Sequence, residues 1–178
     1  REHPNLRIEY TVDDIRTAKA SGQATLLLAS QDGEFLGSSV EYVEAFHRLG
    51  LRMLIPAYNR DNLLCGGVLE RTDTGLSGLG RAVVDECDRV GVVLDLSHVS
   101  RRSSLEINEA SVNPTVFSHA NPKGHVDNAR NVDDEQIRAV AAKGGVIGTV
   151  NWGPLVFKEG MTARPTISDY LDHIDYLA

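Results

Sequence analysis

Two histidines close short apolar runs in this chain. His98 stands near the end of VVLDLSHVS (92–100), and His119 near the end of TVFSHAN (115–121). Neutral imidazole is a common ligand for zinc and related metals. Two imidazoles at the ends of neighbouring parallel strands would sit side by side at one rim. Two histidines do not complete a metal site, however, and a histidine after a strand also serves as a hydrogen-bonded structural residue. Asp95, just before His98, should point to a different face and offers outer support for a ligand. Arg130, in DNARNV after His119, carries a guanidinium suited to clamping a carboxylate at two points. Its alternative roles are a surface residue or a partner for the next helix cap. Tyr58 ends an earlier strand, where its hydroxyl reaches a ligand or seals the rim. His47 and His173 lie on helical patterns and are read as surface or interface residues. His125 shares the loop of Arg130 and has no evident partner in the sequence.

The elements that must position these residues alternate between helix and strand. Strand-like runs cover 24–31, 51–59, 92–96, 115–117 and 145–152. TVDDIRTAKASG opens with Thr11 as N-cap, has Asp14 three residues on, and stops at Gly22. Residues 39–50 place Val40, Val43, Phe46 and Leu49 on one helical face. GRAVVDECDRVG turns Val83, Val84, Cys87 and Val90 inward. Helices follow near 101–110, after the cap Asp133, and at ISDYLDHIDYLA, beyond a loop holding Pro154 and Pro165. The last of these places Ile167, Tyr170, Leu171, Ile174 and Leu177 at helical spacing. The polar, Gly-rich stretch 60–80 is long for a connection, and such loops are often functional. Apolar strands separated by helices predict a parallel sheet covered on both faces. Reactive groups then gather at the carboxyl ends of the strands, where Gln31, Tyr58, His98, His119 and Asn151 fall.

The 178 residues, 42% hydrophobic and 24% charged, suit one soluble domain. A net charge of −7 argues against nucleic acid as a partner. No apolar run approaches the ~20 residues of a membrane span, and the opening REHPNLRIEY lacks the apolar region of a signal peptide. Cys65 and Cys87 form neither a disulfide framework nor a CxxC pair. They read as reduced thiols, with Cys87 packed on a helix. A cytoplasmic location is the default expectation. The start at Arg1 and a helical pattern running to the end read as the central part of a longer chain.

GLSGLGRAVVDECDRVGVVLDLSHVS, TVFSHAN and ARNVDDEQIRAVAAKGGVIGTVNW, in this order and spacing, resemble the membrane dipeptidase (renal dipeptidase) family of zinc peptidases. The likeness covers nearly the whole chain from Val12, and the interval from His98 to His119 fits it. The resemblance implies a (β/α)8 barrel of the TIM type, metallo-dependent hydrolase-like. Residues 1–178 would form a single incomplete domain with about five central βα units. It implies two zinc ions in the full-length site and hydrolysis of dipeptides or similar small amides by metal-activated water. His98 and His119 correspond to the two histidines of one zinc, and Arg130 to the arginine that binds the substrate's terminal carboxylate. Gln31 stands where the family carries a bridging glutamate, with Asp32 and Glu34 nearby but out of register. Tyr58 stands where many relatives carry a substrate-binding histidine. The family's first strand carries a His-x-Asp pair for the other zinc, and no such pair is read anywhere in this chain. The acid/base aspartate is expected beyond Ala178, so no catalytic residue is assigned. The site then holds two zinc ions, or one if Gln31 cannot bridge. Partners implied are the substrate and either the rest of the barrel or further copies of the chain. The leading reading is a zinc dipeptidase. The alternative is a homologue that keeps the fold and serves as a binding or assembly protein.

Overall fold

A computed structural model describes residues 6–158 and 160–178. The first half of the opening REHPNLRIEY, Arg1–Asn5, lies outside the described residues.

Among the described residues seven short strands are present, and all pair in parallel. β1 (Leu6–Ile8) pairs with β2 (Ala24–Leu26). β3 (Leu28–Ser30) pairs with β4 (Leu51–Leu54), which pairs in turn with β5 (Val93–Leu94). A bridge from Asp95 to Val116 leads from β5 to β6 (Val116–Phe117), and β6 pairs with β7 (Val146–Ile147). Neighbours along the chain are therefore neighbours in space, as in a singly wound βα repeat rather than a sheet that reverses its order.

Helices intervene where the hydrophobic period changes to that of a helix. They are α1 (Val12–Ala20), α2 (Glu41–Arg48), α3 (Gly78–Val90), α4 (Arg101–Ala110), α5 (Asp134–Ala142), α6 (Gly153–Val156) and α7 (Ile167–Leu177). Thr11 and Asp14 form the capping box expected for α1, and Asp133 caps α5 with Gln136 completing the box. Ser77 and Ser100 cap α3 and α4 by accepting from the backbone N–H of Gly80 and Ser103. The core lies between strands and helices, with Leu54, Leu94, Val84, Cys87, Ile107 and Phe117 buried in one cluster. Both cysteines are free and buried. Burial pushes the Cys87 thiol up to about 12 and the Cys65 thiol higher still, which removes both as nucleophiles at neutral pH. Among the described residues no helix is long and apolar enough to cross a membrane.

Four expectations are corrected. The strand positions number six, not five, because LRI in β1 is too short and too charged to show as an apolar run. The run 24–31 is not one strand: it breaks at Leu27, and its halves pair with different neighbours. Leu49 does not join the apolar face of α2 but is 71% exposed. His173 of α7, read as a surface or interface residue, is fully buried, while Ile167 of the apolar stripe is 78% exposed. The position of its partner, not helical period, decides which side of α7 is covered. The loop before α7 also contains a turn of helix, α6, with Pro154 in its first turn, where a missing N–H is harmless.

Ser77 also donates its hydroxyl to the Leu63 carbonyl at 2.6 Å, so it ties α3 to the preceding loop. Ser77→Ala is expected to cost about 1 kcal/mol, read as a lower urea midpoint with an unchanged slope. No shift in the midpoint would show that the cap is dispensable.

Candidate metal centre

The site begins with a buried carboxylate between two strand ends. Asp95 Oδ1 accepts the backbone N–H of Ser97 and of Ser118, each at 3.0 Å, and Oδ2 accepts the Ser118 hydroxyl. The Ser97 hydroxyl accepts the His119 N–H at 3.1 Å. The turns after β5 and β6 are thereby locked together, and each presents one histidine. His98 adopts φ +67°, a left-handed conformation costing a non-glycine residue about 1 kcal/mol. Its carbonyl accepts the Val68 N–H at 2.9 Å, which holds the strained turn.

The two rings meet edge on, with Nε2 of His98 2.8 Å from Nε2 of His119. Their other nitrogens have partners. Nδ1 of His98 lies 2.8 Å from Oδ1 of Asn59, an acceptor, so Nδ1 carries the proton. Nδ1 of His119 lies 2.7 Å from the Ser118 oxygen, whose own proton goes to Asp95, so this Nδ1 donates as well. Each Nε2 then bears a lone pair, and the two lone pairs face each other. Burial, then the charge of Arg130 and then His119, push His98 down to about 3. His119 is lowered by burial, with Arg130 adding to this and Asp95 opposing it. Both rings are neutral at pH 7, the form that ligates metal. At 2.8 Å the two nitrogens stand closer than a pair sharing one zinc, so the imidazoles fit a common cation only once the rings part by about half an ångström. Among the described residues no third histidine, cysteine or carboxylate joins them to complete a metal site.

A cavity of about 330 Å³ opens on this pair, lined also by Gln31, Tyr58, Asn59, Arg130, Val150 and Trp152. The site residues read from the sequence thus come together. Tyr58 stacks on His98 with ring centres 4.1 Å apart. Gln31 directly follows β3 and reaches the cavity. Arg130 is only 9% exposed, yet among the described residues no hydrogen bond or ion pair meets its guanidinium. Burial lowers its pKa, while Tyr58 and Asp95 oppose the shift. An arginine remains protonated even so, leaving an unpaired cation beside two neutral rings.

Other residues take different places. Asp32 stays out of the cavity and pins the neighbouring loop, its carboxylate accepting the Tyr58 N–H at 3.2 Å and the Asn62 side-chain amide at 3.0 Å. Asn151 lines a separate hollow with Phe157 and Pro165, because α6 turns the chain there. Two His-x-Asp sequences do occur, at His125 and at His173, but these histidines pack on each other rather than on His98. The long stretch 60–80 proves to be scaffold. Asp61 accepts from Gly67 N–H and from the Thr74 hydroxyl, and Asp73 from the Ser100 hydroxyl and Arg102 N–H. Gly67 must lack a side chain, since a Cβ would fall 2.2 Å from the Asn59 carbonyl carbon. The sequence reading missed Asn59 and Ser118. Asn59 takes φ +64°, a conformation asparagine tolerates better than most residues, and that is its one local signal.

Ser118→Ala removes the link from Asp95 to His119. Zinc affinity, measured by competition with a chromophoric chelator, is expected to fall about ten- to a hundredfold. Undiminished affinity would show that the relay does not orient the ligand.

The family model described as membrane dipeptidase (peptidase family M19) matches residues 1–178. An uncharacterized dipeptidase of Schizosaccharomyces pombe is 34% identical over 80% of this chain and 35% of its own length. Dipeptidase tcpJ of Claviceps purpurea is 28% identical over 95% of this chain and 40% of its own. An amidohydrolase from Pseudomonas aeruginosa superposes with a TM-score of 0.89 at 37% identity, over 97% of this chain and 52% of that one. A metallo peptidase from Rhodobacter sphaeroides, solved with a phosphinate mimic of the dipeptide L-Ala-D-Ala, superposes with a TM-score of 0.91 at 25% identity, over 97% and 51%. The chain thus spans about half the length of these solved relatives and less of the curated ones. With a family model matching from end to end, this chain belongs to the membrane dipeptidase family, peptidase family M19.

Proposed function

We propose that the protein is a metal-dependent dipeptidase, with His98 and His119 as zinc ligands and Arg130 as the receptor for the substrate's terminal carboxylate. One observation carries this reading: two opposed imidazole lone pairs and an unpaired buried guanidinium share one cavity. The family and the relative holding a dipeptide mimic support the substrate class. The parallel, singly wound strand order supports a (β/α)8 barrel as the architecture these residues belong to.

A zinc ion supplies a Lewis acid that acidifies water and polarises the scissile carbonyl. The chain's own residues bind and orient. Arg130 takes the carboxylate with paired N–H groups, which fixes that end of the dipeptide. Its positive charge repels the ammonium end, which settles towards Gln31 and Tyr58, whose oxygens accept. Trp152 and Val150 wall the cavity with apolar surface and limit water. Gln31 is neutral and cannot bridge two cations as a carboxylate does, so a single zinc is expected per site. No carboxylate lines the cavity among the described residues. That same observation favours a second reading, a homologue that binds dipeptides without cleaving them. Binding of the phosphinate mimic without dipeptide turnover, in zinc-loaded protein, would select it.

Two substitutions test the assignment. Arg130→Lys keeps the charge and loses the two-point clamp, so KM for a dipeptide should rise about tenfold with kcat nearly unchanged. An unaltered KM would remove Arg130 from the binding site. Gln31→Glu should raise the zinc stoichiometry, counted by elemental analysis, from one towards two. A constant stoichiometry would show that Gln31 does not occupy a bridging position.

A further inference from the structure

A second group of titratable side chains lies outside the cavity and takes no part in the chemistry above. His125 belongs to the loop that carries Arg130, and His173 belongs to α7. Their rings stand 4.5 Å apart at 81°, edge to face. His173 is fully buried, and among the described residues neither of its nitrogens has a hydrogen-bond partner; nor has Nε2 of His125. The nearest carboxylate to His125, that of Asp172, is 3.8 Å from Nε2, too long for a hydrogen bond. The edge-to-face geometry directs one ring's edge at the other's face, so the lone pairs do not converge on a metal. Among the described residues no set of three ligands forms there either.

What the contact does hold is the loop. Its ends are closed by the pairing of Pro122 with Val132. Inside, Asn131 donates to the Val126 carbonyl at 2.9 Å, and Asn128 Oδ1 accepts the Arg130 N–H at 2.9 Å. The loop is thus a compact unit, and α7 docks on it through His173 against His125. Tyr176 adds to the docking, lying where a side chain on Gly124 would come within 2.3 Å of its hydroxyl. Tyr176 also donates to Asp134 at 2.8 Å.

We propose that the His125–His173 contact is an acid-sensitive clasp that positions the Arg130 loop, and that protonating His173 releases α7 and weakens the hold on a substrate carboxylate. This rests on the reading of Arg130 given above. An imidazole buried without acceptors is tolerated only while neutral. The charged groups facing His173 are His125 from the loop, Lys158 after α6, and Asp169 and Asp172 from its own helix. On the far side of Tyr176 lies Asp134, and the loop's Lys123 is paired with Asp127. Burial, then His125 and Lys158, lower His173 from 6.5 to about 4, with Asp172 and Asp169 opposing. A histidine lowered by docking stabilises the docked state fully above 6.5, and that contribution is lost as pH falls from 6.5 towards 4.

The test compares the zinc-loaded wild type with His173→Phe, which keeps a ring and cannot take a proton. Amide hydrogen exchange at 121–132, corrected for its intrinsic pH dependence, is read at about pH 7.5 and about pH 5.5, together with affinity for a phosphinate dipeptide mimic. Linkage limits the expected effect to about tenfold over this interval. In the wild type, exchange should quicken by up to that factor and affinity should fall with it; His173→Phe should show neither change beyond the zinc loss common to both proteins. Exchange that ignores acid in the wild type, or responds equally in the variant, overturns the clasp. Should His173→Phe not fold, His173→Leu, which also cannot take a proton, carries the same comparison. Affinity for the mimic in Arg130→Lys at about pH 7.5 separates the two ideas. If it matches wild type, the Arg130 reading fails; if it is reduced while exchange ignores acid, only the clasp fails.

Discussion

The carboxylate of Asp95 is the constraint on which the rest of the site depends. It is buried, with no cation paired to it among the described residues. A buried carboxylate without a counter-ion must be met by hydrogen-bond donors. It finds them in two backbone amides and a hydroxyl drawn from two strand ends. Satisfying Asp95 therefore brings the turns after β5 and β6 into one arrangement. That arrangement sets the distance between His98 and His119 and, through Ser118, decides which nitrogen of His119 carries its proton. The same residue that steadies the fold at this point also orients His119.

The two histidines are prepared by unlike means. His119 is linked to a charge through a hydroxyl, while His98 donates to the neutral amide of Asn59. Asn59 is fixed by its own left-handed turn and by Gly67 pressed against its backbone. Gly67 in turn is held by Asp61. Hence the stretch 60–80 supplies little of the cavity lining and yet governs His98. Its many short polar side chains are spent on internal hydrogen bonds, as expected of a loop that must hold a shape without a core of its own.

The histidines, Gln31 and Tyr58 were legible in the sequence because parallel strands deliver their last residues to one rim, and strand-like runs show as apolar stretches; Arg130, on a loop, was assigned to the site only by the family resemblance. The capping boxes of α1 and α5 were legible too, since a cap is a local matter of spacing. What escaped had no local signature. β1 is three residues with an arginine at its centre, and pairing with β2 makes it a strand. Ser118 is one serine among many until Asp95 is placed beside it. His173 shares an amphipathic helix with better hydrophobes, and only the position of the Arg130 loop decides that the histidine side is the covered one.

The charge of the cavity makes the same point about global and local properties. The chain carries a net charge of −7, which by itself says nothing in favour of an anionic ligand. Inside the cavity the balance is reversed. The imidazoles are neutral, no carboxylate lines the space among the described residues, and Arg130 is the charged group. In a partly desolvated space one guanidinium acts over several ångströms with little screening. Any metal held by His98 and His119 adds positive charge of its own and would drive Arg130 away if the loop were free to yield. The loop cannot yield easily, because Val132, Asn128 and Asn131 tie it internally and α7 backs it from behind. On the proposed function, the repulsion between such a metal and Arg130 would be relieved by an anion placed near both, a part that a dipeptide's carboxylate could take.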